Sequence, residues 1–193
     1  MHAMLDIETL GLSDARDFVI TQIAMVAFFP YDPPVGPSAQ VRYSEVLKHS
    51  GLYMTLDIQE QLNKGAKIEA DTMIWWMSQD QDVMKSTFEG PRGVVAVLEA
   101  VERFIRDYEI THLWGNGNTF DNMALRNLFR RFNYKFPLSY KRDMDLRTLR
   151  WMAQVDHPPS YNLSVPDHNP HVDCCKQIVD LWFYLETLAR RQA

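Results

Sequence analysis

Leu5-Asp6-Ile7-Glu8-Thr9-Leu10-Gly11 closes a short, mostly apolar stretch, residues 2–7, that reads as a buried strand. On a strand, side chains two positions apart point to the same face, so Asp6 and Glu8 share one. An isolated Asp-x-Glu is usually a pair of solvated carboxylates. Here the flanking residues are apolar, and two carboxylates on an apolar strand need cations or hydrogen-bond partners.

Working outward, Ile20 to Phe29 reads as a second, longer strand. Residues 30–38 hold Pro30, Pro33, Pro34, Gly36 and Pro37 and form a turn or loop. Residues 41–48 alternate well enough for a third strand, giving two antiparallel pairings joined by short connections. The middle reads as helical. Asp71 is a candidate N-cap for a helix through Met77, and residues 92–108 place Val94, Val97, Leu98, Val101, Phe104 and Ile105 on one stripe. His112-Leu113-Trp114 is a short strand ending in Gly115-Asn116-Gly117. Asn118 or Thr119 then caps a helix carrying Met123, Ala124, Leu125, Leu128 and Phe129. Helices over 145–152 and 172–188 follow, separated by a loop from Pro158 to Pro166. Three strands, a helical insert, a fourth strand and further helices make a mixed α/β domain, with no repeat or linker dividing 1–193.

The 193 residues are enough to bury a sizeable core, and 46% hydrophobic with 23% charged residues suits a soluble globular protein. No apolar run approaches the roughly 20 residues of a membrane span, and Met1-His2-Ala3-Met4 lacks the regions of a signal peptide. The two cysteines, Cys174 and Cys175, are adjacent, which excludes a disulfide framework and makes a reducing, cytoplasmic setting the expectation. The net charge of −5 at first argues against a nucleic-acid partner. Residues 126–150, however, carry 8 Lys or Arg against only Asp143 and Asp145, a local +6 on a chain that is otherwise −11. Such a segment is either a confined phosphate-binding surface or a solvated helical face.

Three further residues complete a chemical pattern. Asp121 follows Phe120 just after the glycine-containing turn, where an acid also suits the first turn of a helix. His168 precedes Asn169-Pro170 in a loop, and Asp173 lies near the start of the terminal helix. Each is modest alone. Gathered around one pocket, Asp6, Glu8, Asp121 and Asp173 would repel one another unless divalent cations neutralised them.

The order of these residues resembles the DEDDh superfamily of metal-dependent 3′–5′ exonucleases. There an Asp-x-Glu motif is followed by a second-motif Asp, then by a His and an Asp with four residues between them. This chain supplies Asp6 and Glu8, then Asp121, then His168 and Asp173. Asn169 stands where the related tyrosine subclass carries Tyr, which favours the histidine subclass. Asp6-Ile7-Glu8-Thr9, Thr72-Met73-Ile74-Trp75-Trp76, Trp114-Gly115-Asn116-Gly117, Thr119-Phe120-Asp121-Asn122 and Asp145-Leu146-Arg147-Thr148-Leu149 look like exodeoxyribonuclease VIII and its bacteriophage relatives. That subgroup also contains a mycobacterial-type exoribonuclease branch. The matches run from residue 5 to about 177. One departure is Pro170, where the family often has a small residue two positions after the histidine; His171 also offers a competing His-x-Asp.

The resemblance implies a ribonuclease H-like mixed sheet flanked by helices, with the carboxylates at its mouth. It implies two divalent cations, Mg²⁺ or Mn²⁺, with Asp6 bridging them, Glu8 and Asp173 completing one site, and Asp121 supporting the other directly or through water. His168 would be the general base that takes the proton of the attacking water. The substrate would be a nucleic acid with a free 3′ end, DNA favoured over RNA and single-stranded or frayed ends preferred, releasing nucleoside 5′-monophosphates. An exoribonuclease with the same site is the alternative, and a non-catalytic nucleic-acid-binding module is a third reading. By the same resemblance Thr9 and Leu10 would contact the terminal nucleotide, with Leu10 wedging against a base, and Asn116 and Phe120 belong to the substrate side of the second motif. Trp75 or Trp76 would stack on a base, the other packing in the core. Arg126, Arg130 and Arg147 would hold phosphates, Arg147 having a structural reading beside Asp145 as well.

Overall fold

A computed structural model describes residues 1–12, 17–34, 38–48, 51–159 and 168–192. Its elements run β1 (His2–Thr9), β2 (Ile20–Phe28), α1 (Ala39–Val46), β3 (Gly51–Thr55), α2 (Ile58–Asn63), α3 (Ala70–Met77), α4 (Gln81–Phe88), α5 (Val94–Asp107), β4 (His112–Gly115), α6 (Asp121–Arg131), β5 (Asp143–Asp145), α7 (Leu146–Ala153) and α8 (Pro170–Gln192). The strands form one mixed sheet in the order β3-β2-β1-β4-β5. β1 pairs antiparallel with β2 and parallel with β4; β2 pairs antiparallel with β3, and β4 parallel with β5. This sheet, flanked by helices, is the α/β, ribonuclease H-like architecture that the sequence implies.

The two faces of β1 are covered by different helices. Ala3, Leu5 and Ile7 join the buried cluster built by α5 and α6, while Met4 belongs to a second cluster dominated by α8. The α5 stripe expected from periodicity is realised: Val94, Val97, Leu98, Val101, Phe104 and Ile105 are all buried. A third, smaller cluster joins Leu10, Val19, Ala66, Trp76 and Val83 beneath the helical insert.

The third strand is not where alternation put it. Residues 39–46 form α1, whose N-cap Ser38 accepts a hydrogen bond from the Val41 amide. Tyr43 and Val46, three apart as on one helical face, are its buried residues and pack in the α8 cluster, whereas Val41, which suggested alternation with Tyr43, is exposed. Strand β3 follows at Gly51–Thr55, an edge strand whose half-exposed residues carry little pattern. The connection from β2 to β3 is therefore long rather than short.

The caps also differ. Glu69, not Asp71, precedes α3, and Phe120, not Asn118 or Thr119, precedes α6; neither makes a side-chain capping bond. Strand β5 is three residues long, and its last residue, Asp145, caps α7 through the Thr148 amide. The middle of the expected loop at 30–38 and residues 160–166 of the expected Pro158–Pro166 loop lie outside the described residues. Among the described residues no helix is long and apolar enough to cross a membrane.

Candidate active site

Asp6 and Glu8 continue the row begun by Met4, so both carboxylates face α8. The register breaks between Glu8 and Thr9, ending that row at the strand's end. Above it, Pro170 opens α8, where its missing amide hydrogen costs nothing, and Asn169 Oδ1 accepts from the amides of His171 and Val172 at 3.1 and 3.2 Å. Pro170 therefore fits this helix start. Asp173 falls in the first turn, directly over β1, and ligand oxygens of Asp6, Glu8 and Asp173 lie within 4.8 Å of one another.

Asp121 comes from a different element. It is the first residue of α6, 5% exposed, and its Oδ2 accepts from the Gly117 amide at 3.4 Å. Gly115 permits this approach. A Cβ there would meet Asn122 Oδ1 at 2.6 Å and Asp121 Oδ2 at 3.2 Å. Asn122 is fixed in turn by donating to the Leu113 carbonyl at 3.0 Å.

The electrostatics are those of crowded acids. Burial pushes Asp6 well above the ordinary carboxylate range, and Asp121, Asp173 and Glu8 push it further; the Gln177 hydrogen bond opposes them. Glu8 is raised to about 8 by burial, then by Asp173 and Asp121. Asp121 is raised to about 7 by burial, against the Gly117 and other backbone amides and Arg147. Burial, reinforced at Asp6 and Glu8 by the neighbouring carboxylates, thus disfavours the ionised forms of these three acids. All donors are hard oxygens, the set that divalent Mg²⁺, Mn²⁺ or Ca²⁺ favours, and a bound cation would remove the repulsion. The residues present therefore fit the metals that the sequence implies.

His168 reaches the same cleft. Its backbone is left-handed, φ 65°, a conformation that costs a non-glycine residue about 1 kcal/mol or more. Its ring stands edge-on to Trp75, with centroids 4.8 Å apart and planes at 89°. His171 instead packs beside Gly51, and burial lowers its pKa. The cleft encloses about 770 Å³, lined by Asp6, Glu8, Asp121, His168 and Asp173 together with Asn116, Phe120 and Arg147.

Other candidate residues lie elsewhere or do other work. Leu10 is 1% exposed and packs in the cluster with Trp76, which leaves it no surface to wedge against a base; Leu12 is the exposed leucine beside Trp75. Thr9 is buried, donating from Oγ1 to the Gly11 carbonyl, while its own carbonyl accepts from Trp76 Nε1 at 2.8 Å. Trp76 is thus the core tryptophan and Trp75 the open one. Arg126 grips Asp143 through two bonds of 2.9 and 2.7 Å, donates to the Leu138 carbonyl and lies over the Phe136 ring. That commits its guanidinium to the fold rather than to phosphate. Arg130 donates to Asn127 and does not line the cleft. Asp145 accepts from the Asn118 and Thr148 amides and is further favoured in its ionised form by Arg147, which also lines the cleft.

Several cleft residues escaped the sequence reading. Lys176 pairs with Asp173 at 2.9 Å, Gln177 donates to Asp6, and Asp180 and Tyr184 line the wall. The signal was present as spacing: 173, 177, 180 and 184 recur at helical intervals along α8.

A five-stranded mixed sheet with clustered carboxylates at the end of its central strand, and a histidine beside them, defines a nuclease of the ribonuclease H-like class. The chain matches the family model of the Rv2179c-like 3′–5′ exoribonuclease domain over residues 1–181 and belongs to that family; it is a 3′–5′ exonuclease acting on nucleic acid. No curated protein matches it. The expected preference for DNA and the placement beside exodeoxyribonuclease VIII find no support in this match, which names RNA.

Proposed function

We propose that the chain is a 3′–5′ exoribonuclease of the DEDDh type, using two divalent cations, Mg²⁺ or Mn²⁺. The observation that carries this reading is the Asp6–Glu8–Asp173 oxygen cluster, within 4.8 Å, in a chain whose family is exoribonucleolytic. Asp6, Glu8 and Asp173 would hold the cations, with Asp121 supporting from α6. When bound, the cations neutralise charge on the attacking and leaving oxygens.

The chain's own residues do the rest. His168, held edge-on by Trp75, accepts the proton of the attacking water. The water adds to the terminal phosphorus and the P–O3′ bond breaks. The leaving O3′ takes a proton from solvent and becomes the new 3′ hydroxyl of the shortened strand, and a nucleoside 5′-monophosphate leaves. Arg147 faces the phosphates from the cleft wall. Trp75 and Leu12 border a pocket of about 310 Å³ beside Glu8 and Thr9, which suits the terminal base. The test is a comparison of 5′-labelled RNA and DNA of one sequence. Faster stepwise trimming of RNA from its 3′ end is expected; faster trimming of DNA would overturn the RNA assignment.

A further inference from the structure

We infer that the outward face of α7 is the track along which the single-stranded RNA leaves the cleft, with Trp151 as a base-stacking platform. This rests on the exoribonuclease reading above. α7 turns Leu146 and Ala153 into the α8 cluster, with Leu149 packed against it. Arg147, Arg150 and Trp151 stand at i, i+3 and i+4, so they form one stripe on the opposite side. Trp151 is 78% exposed and its neighbour Met152 54%.

This stripe lines a groove of about 690 Å³. Arg147 and Arg150 line both that groove and the catalytic cleft, so the two adjoin. The groove's far wall is fixed. Gln154 ends α7 in a left-handed conformation, φ 50°, and Arg150 donates to the carbonyls of Val155 and Asp156. A path from clustered metal-binding acids, with the Arg147 guanidinium and an open indole along it, complements a chain of phosphates and bases. Guanidiniums hold phosphate oxygens, and an indole stacks on any base. Only an unpaired strand offers free base faces, so the occupant is the single strand that precedes the terminal nucleotide.

The test is binding of 5′-labelled oligoribonucleotides from two to eight nucleotides long, with Ca²⁺ replacing Mg²⁺ to suppress cleavage. Wild-type affinity is expected to rise with length, and Trp151→Ala to lose most of that rise. For the longest RNA the loss is roughly tenfold, as for removal of one base–aromatic stack. Trp151→Phe is expected to restore most of it, and Arg147→Gln to flatten the salt dependence. A Trp151→Ala protein that keeps the wild-type length dependence would overturn the track alone. Failure of the wild-type protein to bind RNA of any length would overturn the exoribonuclease reading and the track with it.

Discussion

Gln177 Nε2 donates to Asp6 Oδ1 across 2.8 Å, one helical turn beyond Asp173 on the same helix. It is the interaction that favours the ionised form of Asp6, against burial and three neighbouring acids. Its other amide atom, Oε1, is buried without a hydrogen-bond partner among the described residues. The pairing orients the carboxylate that lies at the centre of the proposed metal cluster. Gln177→Ala is therefore expected to weaken Mn²⁺ binding by roughly 10–100-fold, the usual effect of losing a group that orients a ligand. Calorimetric titration checks this, and an unchanged affinity would remove Gln177 from the site.

The raised acids give the metal-free protein a distinctive pH response. An acid whose folded pKa is raised contributes stability that is complete below its unfolded value and is lost as pH rises through the folded one. Asp6, Asp121 at about 7 and Glu8 at about 8 all act in this direction. His2, lowered to about 4 by burial and His112, acts oppositely as pH falls from 6.5 towards 4. The acids are therefore seen most cleanly above 6.5. With chelator present, Tm is expected to fall from pH 6.5 to 8.5, and Mn²⁺ to reverse the fall. A chelated protein that gains stability over that range would contradict the crowding.

His168→Ala is expected to lower turnover by about 10²–10⁴-fold with little change in metal affinity, as for loss of a general base. His171→Ala, at a residue packed against Gly51, is expected to affect stability more than turnover. Single-turnover kinetics on labelled RNA separate the two. The reverse ranking would assign the base to His171.

Arg126 and Arg147 are expected to part company. The Arg126–Asp143 pair is largely buried, with side chains 14% and 11% exposed. Arg126→Gln leaves Asp143 without its partner and is expected to cost about 3 kcal/mol of stability. Arg147→Gln is expected to leave Tm near normal and to weaken RNA binding, with a shallower salt dependence. Urea unfolding and affinity across a salt series measure these effects.

The sequence exposed most where chemistry and periodicity were strong. The α5 stripe, the β1 strand and the long terminal helix are where apolar spacing put them, because each buries a full face. Asp6 and Glu8 show their shared face through spacing alone. Residues 39–46 misled because Val41 and Tyr43 stand two apart, as on a strand, although Val41 is exposed and the buried pair is Tyr43 and Val46 of a short helix, while β3 and β5 are edge strands too short to carry a pattern. Leu10 and Leu12 look alike in sequence, and only packing against Val19 and Trp76 shows which is buried. The fate of Arg126 was invisible for the same reason: Asp143, 17 residues away, meets it only in the fold.

The most direct measurement follows a 5′-labelled oligoribonucleotide with wild-type protein and with Asp6→Asn and Asp173→Asn, each in Mg²⁺, in Mn²⁺ and in chelator. Both substitutions keep the side-chain shape while removing charge from the cluster, so folded protein is expected, with metal-free stability equal or higher. A stepwise 3′ ladder and released 5′-monophosphates are expected from the wild-type protein with metal, none in chelator, and none from either variant. Trimming by either purified variant at near the wild-type rate would contradict the assignment of this cluster as the catalytic centre.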